Sequence, residues 1–389
     1  MYIIIIIFIC SLFFILHTYI FYPISIKILA FFIRKNYKTD DNSLPKVSIL
    51  ISAYNEGKVI LKTLNNFYEQ NYPKEKSEII IGSDGSTDKT EEIVSQFIDQ
   101  HSNFVFIPFE KRRGKKFVIN DLVKEATGDI LVFCDSNTIY NKDALSQLMR
   151  FYADERVGGV SGRLELIEET GFTEAGNKEA VYWEYESWIK ECEGKLGALI
   201  GANGGIYSIR KEFFMPMPEY ISVVDDLYLS LKVIEMGKDF LYCKKALAKE
   251  ILAPSVKWEF ERKVRIIPRS FETIKQVKSL LFNKRVIVSY GLWSHKLIRW
   301  LTPLLFILLL LSNIIISFNS LNIFYDIFLA LQAFVITCGV VGYLFSLKNI
   351  NIKIFQLTYY FFVTNYALLK GFYKYITKKY KPTWEPTPR

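Results

Sequence analysis

The stretch Asp129-Ile-Leu-Val-Phe-Cys-Asp135-Ser136-Asn137 reads as a short buried strand that ends on a carboxylate and an amide. A brief apolar run bounded by polar residues fits a strand covered on both faces. An aspartate at the end of such a strand is badly placed for packing and well placed for a cation or a reacting hydroxyl. Two similar runs precede it. Val47–Ser52 leads into Tyr54-Asn55-Glu56, and Glu78–Ile81 leads into Ser83-Asp84-Gly85-Ser86. Helix-like stretches near 57–69, 88–99 and 116–125 lie between the runs, with Thr87 as the expected N-cap of the second. Alternating strands and helices imply βαβ units, hence an α/β domain with a mostly parallel sheet. Ligands of such sheets bind beyond the carboxyl ends of the strands. Tyr54, Glu56, Asp84 and Asp135 all fall at such ends.

Composition narrows the partners. Half of the 389 residues are hydrophobic, more than a purely soluble chain carries. The five cysteines (10, 134, 192, 243, 338) show no C-x-x-C spacing, so they read as free thiols. The three histidines (17, 101, 295) stand apart from other candidate ligands, which argues against histidine-based catalysis. The net charge is +9, and residues 244–299 alone hold fourteen Lys/Arg against four Glu. A basic segment just before a hydrophobic span points to anionic lipid heads rather than to nucleic acid, for which no recognition motif is present.

The hydrophobic runs divide the chain. Residues 1–33 read as an N-terminal transmembrane helix, with Lys27 its only ionised side chain and Arg34-Lys35 following. No basic segment precedes the run and no small-residue cleavage site follows it, so a retained anchor is expected rather than a signal peptide. The positive flank is expected to place the α/β domain, residues 44–249, in the cytoplasm beneath the inner membrane. Residues 250–298 mix aromatics with Lys and Arg and read as amphipathic helices in the membrane interface, broken in two at Pro268. Residues 299–347 read as a transmembrane hairpin. Residues 353–377 carry Gln356, Asn365, Lys370 and Lys374, and read as an interfacial or re-entrant segment; 378–389 would be a cytoplasmic tail.

The chemistry lies in the acidic clusters. Asp135 and Asn137, two residues apart, suit Mg²⁺ or Mn²⁺, which prefer oxygen ligands, although the same pattern also makes a helix N-cap. Lys111-Arg112-Arg113-Gly114-Lys115-Lys116 is a basic loop ahead of a helix, suited to a phosphate or simply solvated. Asp225-Asp226 opens an amphipathic helix. The pair either complements the helix dipole or supplies a base whose pKa its neighbour raises.

In family order stand Val47-Ser-Ile-Leu-Ile-Ser-Ala-Tyr-Asn-Glu56, Ser83-Asp-Gly-Ser-Thr-Asp88, Gly114-Lys115, Asp135-Ser-Asn137, Gly201-Ala-Asn-Gly-Gly-Ile-Tyr-Ser-Ile-Arg210 and Asp225-Asp226. With these motifs the chain resembles the membrane-bound bacterial branch of the inverting family 2 glycosyltransferases of GT-A fold, from Val47 to about Arg269. The resemblance implies that Tyr54, Glu56 and Asp84 hold the uridine of a nucleotide-sugar donor and that Lys115 approaches its phosphates. It implies that Asp135 and Asn137 hold the divalent metal on the diphosphate. Asp226 matches the base, with Asp225 beside it. Gly201, Asn203, Gly204 and Gly205 match the loop that shapes the acceptor site.

Two departures stand out. The usual Asp-x-Asp is Asp-x-Asn here, which removes one charge. The Gln-x-x-Arg-Trp of processive synthases is replaced by Arg262-Lys-Val-Arg265-Ile266, which keeps an arginine for the diphosphate and lacks the aromatic platform. Trp384-Glu-Pro-Thr387-Pro-Arg389 resembles a tail motif of related synthases. The implied partners are a nucleotide-sugar, a glycan or lipid-linked acceptor, membrane lipids, and polysaccharide-assembly partners or a second copy of the chain. Three readings follow: sugar transfer to a lipid-linked or growing cell-surface glycan, transfer to polyprenyl phosphate itself, and a non-catalytic membrane assembly subunit.

Overall fold

The computed structural model describes residues 1–167, 174–251, 256–348, 350 and 352–380. The tail motif Trp384–Arg389 lies outside them. The catalytic region is an α/β domain around an eight-stranded sheet ordered β3-β2-β1-β4-β7-β6-β8-β5 among the described residues. Its first half is β1 (Val47–Ala53), α3 (Ile60–Tyr68), β2 (Ser77–Asp84), α4 (Thr90–Ile98), β3 (Phe104–Phe109), α5 (Lys115–Glu125) and β4 (Ile130–Asp135), preceded by the N-terminal helices α1 (Tyr2–Leu16) and α2 (Tyr22–Phe32).

The strands β3-β2-β1-β4 are parallel, as the alternation of elements predicts. The second half is mixed. It holds β5 (Ile139–Tyr140), α6 (Ala144–Met149), β6 (Val157–Ile167), α7 (Glu174–Lys195), β7 (Tyr207–Arg210), α8 (Asp225–Glu235) and β8 (Asp239–Ile251). There β7 runs antiparallel to both β4 and β6, while β6 and β8 are parallel.

Burial explains the strands. Val47, Ile49, Leu50 and Ile51 of β1 and Ile130, Leu131 and Val132 of β4 are all fully buried, so apolar residues occupy both faces. The register then fixes the site, because Ala53 stands beside Ser83 and Ser52 beside Asp135. The polar ends of β1, β2 and β4 emerge on one edge.

The loops beyond that edge are tied to one another. Asn55 adopts φ +55, a left-handed conformation that asparagine tolerates better than most residues. Its N–H donates to Ser86 Oγ, and its Oδ1 accepts from the Thr87 N–H at 2.8 Å. Lys89, not Thr87, is the N-cap of α4 and makes no side-chain capping bond; the Thr90 N–H is met instead by Asp88 Oδ1 at 3.0 Å. The physical reason is position: Thr87 is drawn to Asn55, and Asp88 is left facing the helix start. Asp84, 3 % exposed, accepts from the backbone N–H groups of Arg113 and Gly114 at 2.7 and 2.8 Å. Gly85, at φ +68, lets the backbone of Lys111 and Arg112 come close; a Cβ there would lie 2.8 Å from the Arg112 nitrogen.

Among the described residues three helices are long and apolar enough to cross a membrane: Tyr2–Phe32, Val286–Asn319 and Ile323–Leu347. The second joins α10 (Val286–Gly291), a π-turn (Leu292–Leu297) and α11 (Ile298–Asn319), so the first arm of the hairpin starts well before residue 299; the third is α12 (Ile323–Leu347). Pro268 does not split its helix: α9 (Val256–Gln276) runs through it. Proline removes one backbone donor, and the helix is held from outside by burial of Val264, Ile267, Phe271 and Ile274. That same stripe corrects the reading of α9 as a helix with its apolar face in the lipid interface. Ile267, Phe271 and Ile274 belong to the core that also contains Leu50 and Leu131. Residues 353–376 form one continuous helix, α13 (Lys353–Ile376), rather than a re-entrant loop. It packs on α9 where a Cβ on Gly371 would lie 2.7 Å from Ile267 Cβ, and on α12 where one on Gly342 would meet the Phe355 carbonyl oxygen.

Asp84→Ala removes the acceptor for two loop N–H groups. Hydrogen bonds to a charged group are each worth about 1.5–3 kcal/mol. Trypsin should therefore cut the Lys111–Lys116 segment about tenfold faster in the variant, read by limited proteolysis. Equal cleavage would show that Asp84 does not hold the loop.

Candidate active site

Three carboxylates meet at the sheet edge. Asp135 ends β4, and Asp225 and Asp226 begin α8. The Lys115 ammonium, at the first residue of α5, lies between two of them: 2.7 Å from Asp135 Oδ1 and 2.8 Å from Asp225 Oδ2. Burial opposes the charge on Lys115, yet Asp135 and Asp225 more than offset it and hold its pKa well above the ordinary lysine range. The basic loop therefore delivers one cation into the acidic cluster, a role that its sequence leaves open.

Asp226 is half-buried at the N-terminus of α8, where the Leu227 N–H donates to its Oδ1 at 2.7 Å. Its Oδ2 faces Gly204, where a Cβ would stand 3.2 Å away and also 3.9 Å from Asp135 Oδ2. Glycine at this position keeps the space between the two carboxylates open. Burial, and then the charge of Asp225, push Asp226 up to about 6. Two adjacent aspartates thus differ in role. Asp225 is paired with Lys115, and Asp226 is the carboxyl that burial and its neighbour raise.

The glycine loop is built from beneath. Gly201 has φ +92, and Leu227 and Lys296 crowd the place where its Cβ would be. Asn203, in the loop expected to shape the acceptor site, is turned inward. It is 4 % exposed, its N–H donates to Ser161 Oγ, and its Nδ2 donates to the Gly162 carbonyl at 2.7 Å. Its Oδ1 accepts from Lys190 Nζ at 2.6 Å. An amide so engaged shapes the loop rather than meeting a sugar. Gly205 packs on Thr138, where a Cβ would lie 2.7 Å from Oγ1.

Beyond the end of β1, the Arg112 guanidinium stacks over the Tyr54 ring at 3.9 Å. Glu56 is buried, and its N–H donates to Thr90 Oγ1. Asn137 donates its Nδ2 to Glu250 Oε1 at 3.0 Å, while its Oδ1 is buried with no hydrogen bond among the described residues. That unpartnered oxygen and the Asp135 carboxylate are oxygen donors of the type that Mg²⁺ or Mn²⁺ prefers, and in this structure the Asp135 carboxylate is paired with the Lys115 ammonium. On α9, Arg262 pairs with Glu259 at 2.7 Å, and Arg265 is half-buried. Arg269, one turn beyond Arg265 and mostly buried, feels the charge of Asp225. Sequence reasoning missed Arg269. The i+4 spacing from Arg265 was the available signal. It also missed Lys190, Tyr207 and Lys296. Tyr207, buried on β7, feels the charges of Asp225, Asp226 and Asp135.

Comparison with known proteins agrees with this geometry. Residues 48–214 match the family described as Glycosyl transferase family 2. The chain is 24 % identical over 328 residues to the poly-β-1,6-N-acetyl-D-glucosamine synthase of Staphylococcus epidermidis, covering 79 % of this chain and 77 % of that one. It is 24 % identical over 337 residues to the probable glycosyltransferase YdaM of Bacillus subtilis, covering 82 % and 76 %. Among solved structures, the mannosyltransferase PcManGT from Pyrobaculum calidifontis, determined with GDP-Man and Mn²⁺, superposes with a TM-score of 0.70 at 19 % identity, covering 96 % of this chain and 99 % of that one. The mixed sheet is that of the GT-A fold; residues 48–214 are a glycosyl transferase family 2 domain, and the chain is a glycosyltransferase.

Proposed function

We propose that the chain moves a sugar, with inversion, from a UDP-sugar to a hydroxyl of a lipid-linked or growing cell-surface glycan, on the cytoplasmic side of the membrane. The observation that carries this reading is Asp226, held by the Leu227 N–H across open space from Gly204 and raised to about 6. A base that titrates there is mostly ionised at neutral pH and still takes up a proton readily.

In the proposed step the acceptor O–H gives its proton to an Asp226 oxygen. The acceptor oxygen forms the new bond to the anomeric carbon. The bond from that carbon to the diphosphate oxygen breaks, and its electron pair leaves with the UDP. Charge grows on the diphosphate, and Lys115, already aimed between Asp135 and Asp225, is the cation in reach. Tyr54 and Arg112 would flank the base, and Arg265 and Arg269 would add positive charge from α9. Asp135 and Asn137 would hold a divalent metal, which when bound neutralises diphosphate charge. The similarity to a staphylococcal polysaccharide synthase supports a growing glycan as acceptor. Arg34 and Lys35 after the first candidate span support a cytoplasmic domain. The two later candidate spans then return the chain to the same side.

Three outcomes are expected. Asp226→Asn should keep UDP binding, read by calorimetry, and lose transfer by about a hundredfold or more; near-normal transfer would remove Asp226 as base. The base works only when deprotonated, so kcat/KM should rise with pH through about 6 and level off above it. Asp225→Asn removes the neighbouring charge and should shift that limb to lower pH. A profile with no limb in this range contradicts the assignment. Treatment with EDTA should abolish UDP release and Mn²⁺ should restore it, whereas unchanged release in EDTA would rule out the metal.

A further inference from the structure

The last strand of the sheet closes back on the turn that carries Asp135 and Asn137. The turn is locked from within, since the Thr138 N–H donates to the Asp135 carbonyl at 3.1 Å. From α3, Thr63 Oγ1 donates to the Ser136 carbonyl at 2.7 Å. The chain then enters β5, where Ile139 stands beside Lys249 and Tyr140 beside Ala248 in an antiparallel pair. That register sets Glu250, the next residue of β8, against the end of the turn. Its Oε1 accepts from Asn137 Nδ2 at 3.0 Å.

This one hydrogen bond fixes which way the amide faces. An ionised carboxylate only accepts, so the nitrogen of Asn137 points to Glu250 and the oxygen away from it. That oxygen is buried, with no hydrogen-bond donor among the described residues, and Asn137 as a whole is 6 % exposed. Buried acceptors are nearly always satisfied, and one that is not calls for an ion or another partner. Two residues back, at the start of the same closed turn, stands the Asp135 carboxylate.

Charge points the same way. Lys115, 2.7 Å from Asp135, already offsets the one carboxylate that Asp-x-Asn retains. Glu250 brings a second, one hydrogen bond from the Asn137 amide. An aspartate at 137 would instead face the half-buried Glu250 as a like charge, which is costly. Positions 137 and 250 therefore fit as a pair of amide and carboxylate, in either order, and not as two carboxylates.

We propose that Glu250 is a positioning residue of the cation site. It holds Asn137 with Oδ1 toward the divalent metal and returns, beside it, the negative charge that an Asp-x-Asn sequence lacks. The inference rests on the metal part of the transfer reading and names, for the same site, a residue that lies outside its motif. Groups that hold a metal ligand from behind change the affinity for the metal by about ten- to a hundredfold.

The test reads Mn²⁺ on the full chain in phosphatidylcholine nanodiscs with UDP present. Free Mn²⁺ is measured by electron paramagnetic resonance, a readout independent of turnover. Glu250→Gln should weaken Mn²⁺ binding about tenfold. Combining it with Asn137→Asp, which swaps the two groups, should recover most of the loss. Equal Mn²⁺ affinity in wild type and Glu250→Gln would overturn the proposal. So would a double variant no better than Glu250→Gln, the result expected of a purely structural role. A second measurement needs no variant. In wild type carrying asparagine labelled with ¹³C at the side-chain carbonyl, electron–nuclear double resonance should show coupling of that carbon, and of the UDP ³¹P, to the bound Mn²⁺. Coupling to ³¹P without ¹³C defeats this inference alone. Absence of both, with no Mn²⁺ bound, defeats the metal reading beneath it.

Discussion

Like charges do not gather without a counter-charge, and this site brings Asp135, Asp225 and Asp226 together at one edge of the sheet. The Lys115 ammonium makes that possible, bonded to Asp135 and Asp225 at once. The rest of the domain serves this contact. The parallel half of the sheet brings the ends of β1, β2 and β4 level. Asp84 fixes the loop that ends in Gly114, so that α5 begins with Lys115 aimed across the edge. Antiparallel β7 follows the glycine loop and leads into the segment that returns as α8, which carries the other two carboxylates. Because Lys115 is engaged by Asp225, Asp226 is left as the carboxylate whose proton affinity burial and its neighbour can raise.

The glycine loop is joined in turn to the candidate membrane spans. Lys190 of α7 holds Asn203, and Glu186 and Glu193 of α7 hold His295 and Arg299. Tyr22 closes the set from the N-terminal helix. The glycine loop is therefore built on residues far apart in the chain, and its shape depends on how α2, α7 and α11 are packed.

Much of the nucleotide half was legible because its signals are local. The apolar runs of β1, β2 and β4 end where their sequences say, and Asp84 and Asp135 stand at those ends because a buried strand must release its carboxylates at the edge. The other half was harder for a physical reason. The stripe of α9 has one periodicity whether lipid or protein covers it, and here α13 and the domain core cover it. Asn203 sits in a motif that reads as acceptor surface, and only the distant Lys190 and Ser161 reveal that its polar atoms are turned inward. Lys296 and His295 fall in the segment read as amphipathic, and the partners that reveal their place lie about a hundred residues away, in α7. Asn137 shows the same limit, since its amide meets Glu250, in the last strand of the sheet.

The central claim, that this acidic edge releases a nucleotide diphosphate as it transfers a sugar, is tested most directly by UDP release. The purified chain in lipid would be given a panel of UDP-sugars with Mn²⁺, beside Asp135→Ala. The account predicts release with one sugar that requires the metal and is lost in the variant. Equal release by Asp135→Ala, or no UDP binding by the wild-type chain under any of these conditions, would contradict it.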